Sequence, residues 1–297
     1  MSNTIETMKS LTFGTELEYC GITREEAAYA IQSVIGGTVR YQPELGYSAW
    51  TVTAPDGRVW KAITDASLDS RNGGSAEIVT PILHYEDIEK LQEVVRALRH
   101  AGAKTPACTS QHVHVGASQM TAKQVAHLAK SWYKQEQLII KAAGTLESRL
   151  GHYTQRTSKT FLERLEQVTD YTMDNINKAW FGYYNPRPQH YDNNRYHTLN
   201  LNNLWRTGTV EFRLWNGTTH AGEVKAHIIF CMAMVAKAMT AKNPRQYNEA
   251  SGKYDMRVWL LHLDLNGEEF KNVRMHLLKH LHGSAAWQGE RRENRAA

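Results

Sequence analysis

The stretch FGTELEY at 13–19 places two glutamates, Glu16 and Glu18, one residue apart. In an extended segment they share a face, while Phe13, Thr15, Leu17 and Tyr19 take the other. Like charges placed this way repel unless water, a proton or a cation relieves them. Two readings follow: the solvated face of a half-buried strand, or a site for a hard divalent ion, which collects carboxylate oxygens. The same question recurs along the chain. His112 and His114 alternate with Val113 and Val115, and Asn200 and Asn202 with Leu199 and Leu201. Glu211 and Arg213 alternate with Val210, Phe212 and Leu214, and Glu77 stands between Ala76 and Ile78.

Singly, each has an ordinary explanation: strand histidines, a surface ion pair, an isolated acid. Together these positions hold only Glu, His, Asn and Arg, with no lysine among them, whereas a solvated face mixes Lys, Thr, Ser and Gln. Carboxylates and imidazoles ligate divalent metals, and an arginine beside them suits phosphate or carboxylate. If the strands share one sheet, bound cations relieve the Glu16–Glu18 repulsion. A donor set this rich in carboxylate favours Mg2+ or Mn2+, ions that grip substrate phosphates. The sequence has no HExxH spacing, no GxxxxGK[ST] loop and no Rossmann glycine fingerprint, so a bound nucleotide would lie on the sheet itself.

The elements that must position these residues are legible in outline. Thr23 and Glu26 form a capping box for a helix that Gly36 and Gly37 end. TVRYQ, SAWTVTA and RVWKAIT read as strands, the last two a hairpin about Pro55-Asp56-Gly57, and SAEIVTP at 75–81 as another. A helix follows from Tyr85 to Gly102, then a strand in ACTSQHVHVGAS, then a long helix from Thr121 to about Ala143. A helical stretch is expected at 159–180, and 181–195, with two prolines and no periodicity, is a loop long enough to be functional. HTLNLNNLW and GTVEFRLWN read as strands, and 220–242 and 255–282 as helices before a charged tail, ERRENRAA. The pattern is α+β: a mostly antiparallel sheet interleaved with helices, one catalytic domain over 1–297 with a core at about 11–240 and a helical extension at about 241–297.

At 297 residues the chain can bury a large core. A net charge of +5 from 35 basic and 30 acidic residues suits an anionic substrate and disfavours a nucleic-acid partner. Three widely spaced cysteines argue against a disulfide framework, and the N-terminal residues lack a signal-type apolar stretch, so a cytoplasmic location is expected. The longest apolar run, 228–236, is too short to span a bilayer. Nothing in the sequence sets an oligomeric state.

The order of motifs (ExE, a later Glu before Pro, HxH, then ExR) resembles the glutamine synthetase and glutamate–cysteine ligase superfamily. Within it, FGTELEY, DASLDSRNGGSAEIVTP, GAKTPACTSQHVHVG, SRLGHY, RYHTLNLNN and TVEFRLWNGT resemble the amidoligase family of phages and bacteria. The resemblance implies a curved sheet with helices on its convex face, its concave face holding ATP and two or three Mg2+ ions. It implies an ATP-dependent ligase that joins a small-molecule or peptide carboxylate to an amine through an acyl phosphate. By the same resemblance Glu16, His112 and Glu211 hold the ion on the ATP phosphates, and Glu18 and Glu77 the ion at the acceptor carboxylate. His114, Arg195 and Arg213 face the phosphates, while Arg149, Tyr153, Asn200 and Asn202 are substrate contacts. Only one acid is evident around Glu77, since Asp65 and Asp69 lie upstream, which leaves a third metal site open. A phosphotransferase on the same metal-lined sheet is the nearest alternative. A non-enzymatic nucleic-acid binder using Arg149, Arg156, Lys159 and Arg195 is the more distant one.

Overall fold

The computed structural model describes residues 3–68, 73–151, 153–243 and 252–287. Asp69 and the ERRENRAA tail lie outside the described residues. The strands are β1 (Phe13–Cys20), β2 (Thr38–Gln42), β3 (Ala49–Thr53), β4 (Val59–Ile63), β5 (Ser75–Val79), β6 (Ser110–Gly116), β7 (Leu199–Asn200) and β8 (Thr209–Asn216). The helices are α1 (Asn3–Ser10), α2 (Arg24–Ile35), α3 (Ile88–His100), α4 (Ala122–Ala143), α5 (Glu147–Leu150) and α6 (Lys159–Glu166). They continue with α7 (Met173–Phe181), α8 (Ala221–Thr240), α9 (Lys253–His262) and α10 (Lys271–Leu278).

The strands form one eight-stranded sheet in the order β2-β3-β4-β5-β1-β6-β8-β7, every paired neighbour antiparallel. Helix α2 packs on β2 to β5, α8 on β1 and β6, and α4 on β8, so the apolar side of each strand is buried against helix. One hydrophobic cluster runs from Ile5 to Leu281 through Leu17, Ile78, Val113 and Phe212. The apolar run 228–236 is the buried centre of α8. Among the described residues no helix is long and apolar enough to cross a membrane.

Local chemistry sets the boundaries. The Thr23 hydroxyl accepts the Glu26 N–H while the Glu26 carboxylate accepts the Thr23 N–H, the reciprocal cap expected for α2. Gly144 ends α4 at φ 61°, the left-handed region open to glycine. The helical stretch at 159–180 is two helices, because the Thr172 hydroxyl accepts the Asn175 N–H and starts α7 afresh. The expected helix at 255–282 also breaks, at Asp264 with φ 62°. The expected strand HTLNLNNLW shrinks to Leu199–Asn200: the Asn200 side-chain oxygen accepts the Asn202 N–H at 2.8 Å, and this local turn leads into a 3-10 helix over Asn202–Trp205. Helix α1, packed on α8, was not anticipated.

Behind the sheet, His227 of α8 stacks on Trp215 at 4.1 Å between ring centroids and shares a 2.8 Å hydrogen bond with Gln111. Burial, reinforced by the charges of His276 and His280, depresses its pKa to about 3. An unfolded chain protonates such a ring near pH 6.5, as a free histidine does. Its contribution is therefore complete above that pH and is drawn down as the pH falls towards 3, at up to about 1.4 kcal/mol per pH unit. Urea midpoints measured from pH 7 to pH 5 should fall steeply in the wild type and more shallowly in His227→Gln. Parallel slopes would remove His227 as the cause.

Candidate active site

The face of the sheet turned from the helices carries the polar residues, and the strand register assembles them. Glu16 stands opposite His112, Glu18 opposite Glu77, His114 opposite Glu211, and Asn200 opposite Glu211. Directly opposed residues in antiparallel strands share a face at close range. Five adjacent strands, β5-β1-β6-β8-β7, thus converge on one patch. Glu18 is 5% exposed and Glu211 1%, which rules out the solvated-face reading at these positions.

A bulge aims the arginine. Between Gln111 and Val113 strand β6 advances two residues while β8 passes from Trp215 to Phe212, three residues, so the extra residue falls at Arg213–Leu214. Arg213 reaches Glu211 on the polar face, while Trp215 is freed to pack on His227 behind the sheet.

Among the described residues two groups have ligand atoms converging within 4.8 Å: Glu16 with His114 and Glu211, and Glu18 with Asp65 and Glu77. The first group is internally compensated. Glu16 meets His112 Nδ1 at 2.8 Å and His114 Nε2 at 3.1 Å. Burial opposes its ionisation, but the His114 charge and these hydrogen bonds prevail and hold it well below the usual carboxylate range. Glu211 Oε1 accepts from Arg213 Nη1, and Oε2 from the amides of Asn200 at 2.6 Å and Asn203 at 3.1 Å. Burial raises its pKa, yet the Arg213 and His114 charges outweigh that and bring it to about 2. The buried Nε–H of Arg213 has no acceptor among the described residues, a donor that an anionic ligand can satisfy.

In the second group the Arg213 charge gives only partial relief. Burial and the negative charges of Glu16, Asp65 and Glu18 push Glu77 up to about 9. Glu18 is fixed by accepting the Ser110 N–H at 2.7 Å. Asp65 sits in the turn after β4, two residues beyond Ile63, which pairs with Glu77. Three hard oxygen donors whose mutual repulsion is only partly relieved fit Mg2+ or Mn2+.

The other expected positions divide. His112 has both ring nitrogens engaged, Nδ1 by Glu16 and Nε2 by Ser110 Oγ at 3.0 Å, while His114 joins the converging group. Asn202 lies outside the strand. With β7 ending at Asn200 the alternation is lost, the Asn202 side-chain oxygen accepts the Trp180 indole N–H, and Asn203 takes the place at Glu211. Arg149 donates to the carbonyls of Trp215 and, at 3.1 Å, Arg213, so it clamps the end of β8; burial lowers its pKa to about 10. Arg195 stands over the rings of Tyr191 and Tyr196 at 5.8 and 5.7 Å, and Arg213 lies 6.0 Å from the same Tyr196 ring. Tyr153 meets Tyr196 edge-on at 5.8 Å. Sequence reasoning set Asp65 aside as lying upstream of Glu77, and it missed Asn203. It also missed Lys61, which shares the polar face because Trp60 and Ala62 on either side of it are in the core.

A family model described as "Putative amidoligase enzyme" matches residues 9–235. The chain belongs to the amidoligase family. The match spans every strand of the sheet and every residue of both acidic groups, and membership supports an enzyme of ligase type. No curated protein matches the chain. Among solved structures it is similar to a bifunctional glutathione synthetase from Pasteurella multocida, with 13% identity and a TM-score of 0.41. That likeness covers 93% of this chain and 48% of the other, so the chain spans about half the length of that relative.

Proposed function

We propose that the protein is an ATP-dependent carboxylate–amine ligase. The observation that carries this reading is the division of Glu16 and Glu18, adjacent on one face of β1, between two separate acidic groups. Glu16, His114 and Glu211, with Arg213 and Arg195 alongside, would hold the nucleotide phosphates, and His112 would orient Glu16 from behind. Glu18, Asp65 and Glu77 would hold the ion at the acceptor carboxylate. When bound, Mg2+ supplies positive charge to phosphate and carboxylate oxygens. The protein's own part is to hold both reactants in line and to place the Arg213 guanidinium where charge develops on the transferring phosphoryl group. A carboxylate oxygen attacks the γ-phosphorus and ADP leaves; the amine then attacks the acyl carbon, phosphate leaves, and the nitrogen gives up a proton. The proposal extends to the whole chain as one catalytic unit, and to a curved sheet of the glutamine synthetase and glutamate–cysteine ligase kind. Both substrates would be small molecules or peptides, met in the cytoplasm.

The test is ADP release by the purified protein with Mg-ATP, scored against carboxylate and amine added separately and together. Release that needs both supports ligation. A phosphorylated product formed without an amine would make the protein a phosphotransferase, and salt-sensitive nucleic-acid binding without Mg-ATP binding would displace both readings.

The second acidic group adds a metal-binding prediction. With its pKa near 9, Glu77 carries a proton at pH 7 in the metal-free protein. A cation must displace that proton, so affinity for Mn2+ or Mg2+ should rise with pH up to about 9, with close to one proton released per ion at pH 7. Calorimetric titration in Hepes and in Tris, whose ionisation heats differ, measures that proton. Equal heats in the two buffers would contradict it.

A further inference from the structure

The register that aligns the carboxylates also aligns cations. One row across six strands reads Arg40 on β2, Thr51 on β3, Lys61 on β4, Val79 on β5, Glu16 on β1 and His112 on β6. Because residues opposed in register share a face, Lys61 and Arg40 lie on the same face as both acidic groups. Among the described residues neither cation has an ion pair or a hydrogen-bonded carboxylate. Lys61 is half-buried, whereas the ammonium groups of Lys90 and Lys271 sit in exposed pairs with glutamates. A half-buried ammonium on a functional face, with no counter-charge paired to it among the described residues, is a binding group for an anion.

Its position says which anion. Lys61 lies beyond β5, on the Glu18–Asp65–Glu77 side, with β5, β1 and β6 separating it from β8 and Arg213. The nucleotide phosphates belong to the Arg213 side, so Lys61 faces the acyl acceptor. Between Lys61 and Glu16 the row offers only Val79, and the neighbouring row has Ile63 beside Glu77. The floor therefore runs carboxylate cluster, aliphatic residue, ammonium. Lys61 and Glu16 are two strand spacings apart, about 10 Å between backbones, which both side chains shorten. That spacing suits two acid groups joined by a chain of a few carbons. Resting on the ligase reading above, we infer that the acyl substrate carries a second anionic group, and that Lys61, with Arg40 outside it, binds that group while Val79 and Ile63 support the intervening carbons.

The experiment uses the whole protein with Mg-ATP and hydroxylamine as a general amine, with hydroxamate and ADP measured for matched acids: butyrate against succinate and glutarate, and L-alanine against L-aspartate and L-glutamate. The diacids should show the lower KM. Lys61→Gln should raise that KM about 10- to 100-fold, the worth of one charge-assisted hydrogen bond, with kcat and the KM for Mg-ATP little changed. Lys61→Arg should recover most of the loss, and Lys61→Glu should be worse than Lys61→Gln. Equal KM for monoacids and diacids, no turnover of any diacid by a wild type that binds Mg-ATP, or a Lys61→Gln defect confined to Mg-ATP would each overturn the inference and leave the ligase reading standing. A wild type that binds no Mg-ATP by equilibrium dialysis would remove the ligase reading itself.

Discussion

Glu16→Gln should abolish Mg-ATP-dependent turnover, lowering it by about 10³-fold or more, while leaving the protein folded. The substitution preserves the volume of the side chain and removes only its charge. Glu16 hydrogen-bonds both His112 and His114, at 2.8 and 3.1 Å, and it converges with His114 and Glu211. Without its charge the group holds one anionic ligand in place of two, and that one, Glu211, is already engaged by Arg213. An ion on nucleotide phosphates would lose affinity and position together. The fold should tolerate the change, because Glu16 is partly exposed and its charge is among those that raise Glu77. Steady-state ADP release, Mg-ATP binding by calorimetry and a thermal melt are the measurements. Turnover within a few-fold of wild type would rule out the polar face as the nucleotide site.

The two acidic groups differ in a way that bears on the order of events. Around Glu211 the charge is balanced within the protein by Arg213 and the two histidines, and a cation arriving there brings excess positive charge suited to polyanionic phosphates. Around Glu77 the carboxylates repel one another and hold a proton at neutral pH, and a cation arriving there takes that proton's place. On the ligase reading, the second group would bind a bare ion in competition with that proton, and the first an ion that comes with its phosphates. Metal titrations without and with nucleotide should separate the two.

What could be read from the sequence follows from how local each property is. Alternation belongs to a single strand, so FGTELEY, SAEIV, HVHV and TVEFRL declared their polar sides before any pairing was known. Which polar sides meet depends on register, a non-local property, and that is where the reading stopped. RVWKAIT shows the same alternation, with Lys61 set against Trp60 and Ala62, yet only the pairing through Val79 puts Lys61 in the row of Glu16. Asp65 belongs to no strand and is brought to Glu18 by the turn after β4. The exchange of Asn202 for Asn203 arose because the Asn200 side chain captured the Asn202 backbone, a competition between side chain and strand that composition does not reveal. The breaks in the predicted helices at 159–180 and 255–282 have the same local origin, a capping threonine in one and a left-handed aspartate in the other.

Glu211→Ala should destabilise the protein by about 3–5 kcal/mol, because it strands a buried guanidinium. Glu211 is 1% exposed and Arg213 5%, and the carboxylate also accepts from the amides of Asn200 and Asn203. At about 2–4 °C per kcal/mol for a domain of 150–250 residues, the melting temperature should drop by about 6–20 °C. Turnover should vanish as well, so this variant alone cannot separate a structural role from a chemical one. Glu211→Met combined with Arg213→Met does separate them. Replacing both members of a buried pair with apolar groups of similar length removes the unpaired charge, and such exchanges are often neutral or better for stability. The double variant should regain most of the lost melting temperature, with a coupling energy of about 2 kcal/mol or more between the two positions. It should regain no Mg-ATP turnover, because it lacks both the cluster's buried carboxylate and the donor for the transferring phosphoryl group. A double variant that is stable and active would make the pair a packing element and move the chemistry elsewhere. Stability without activity would mean that a buried ion pair, costly to desolvate, is kept in this sheet for the reaction it serves.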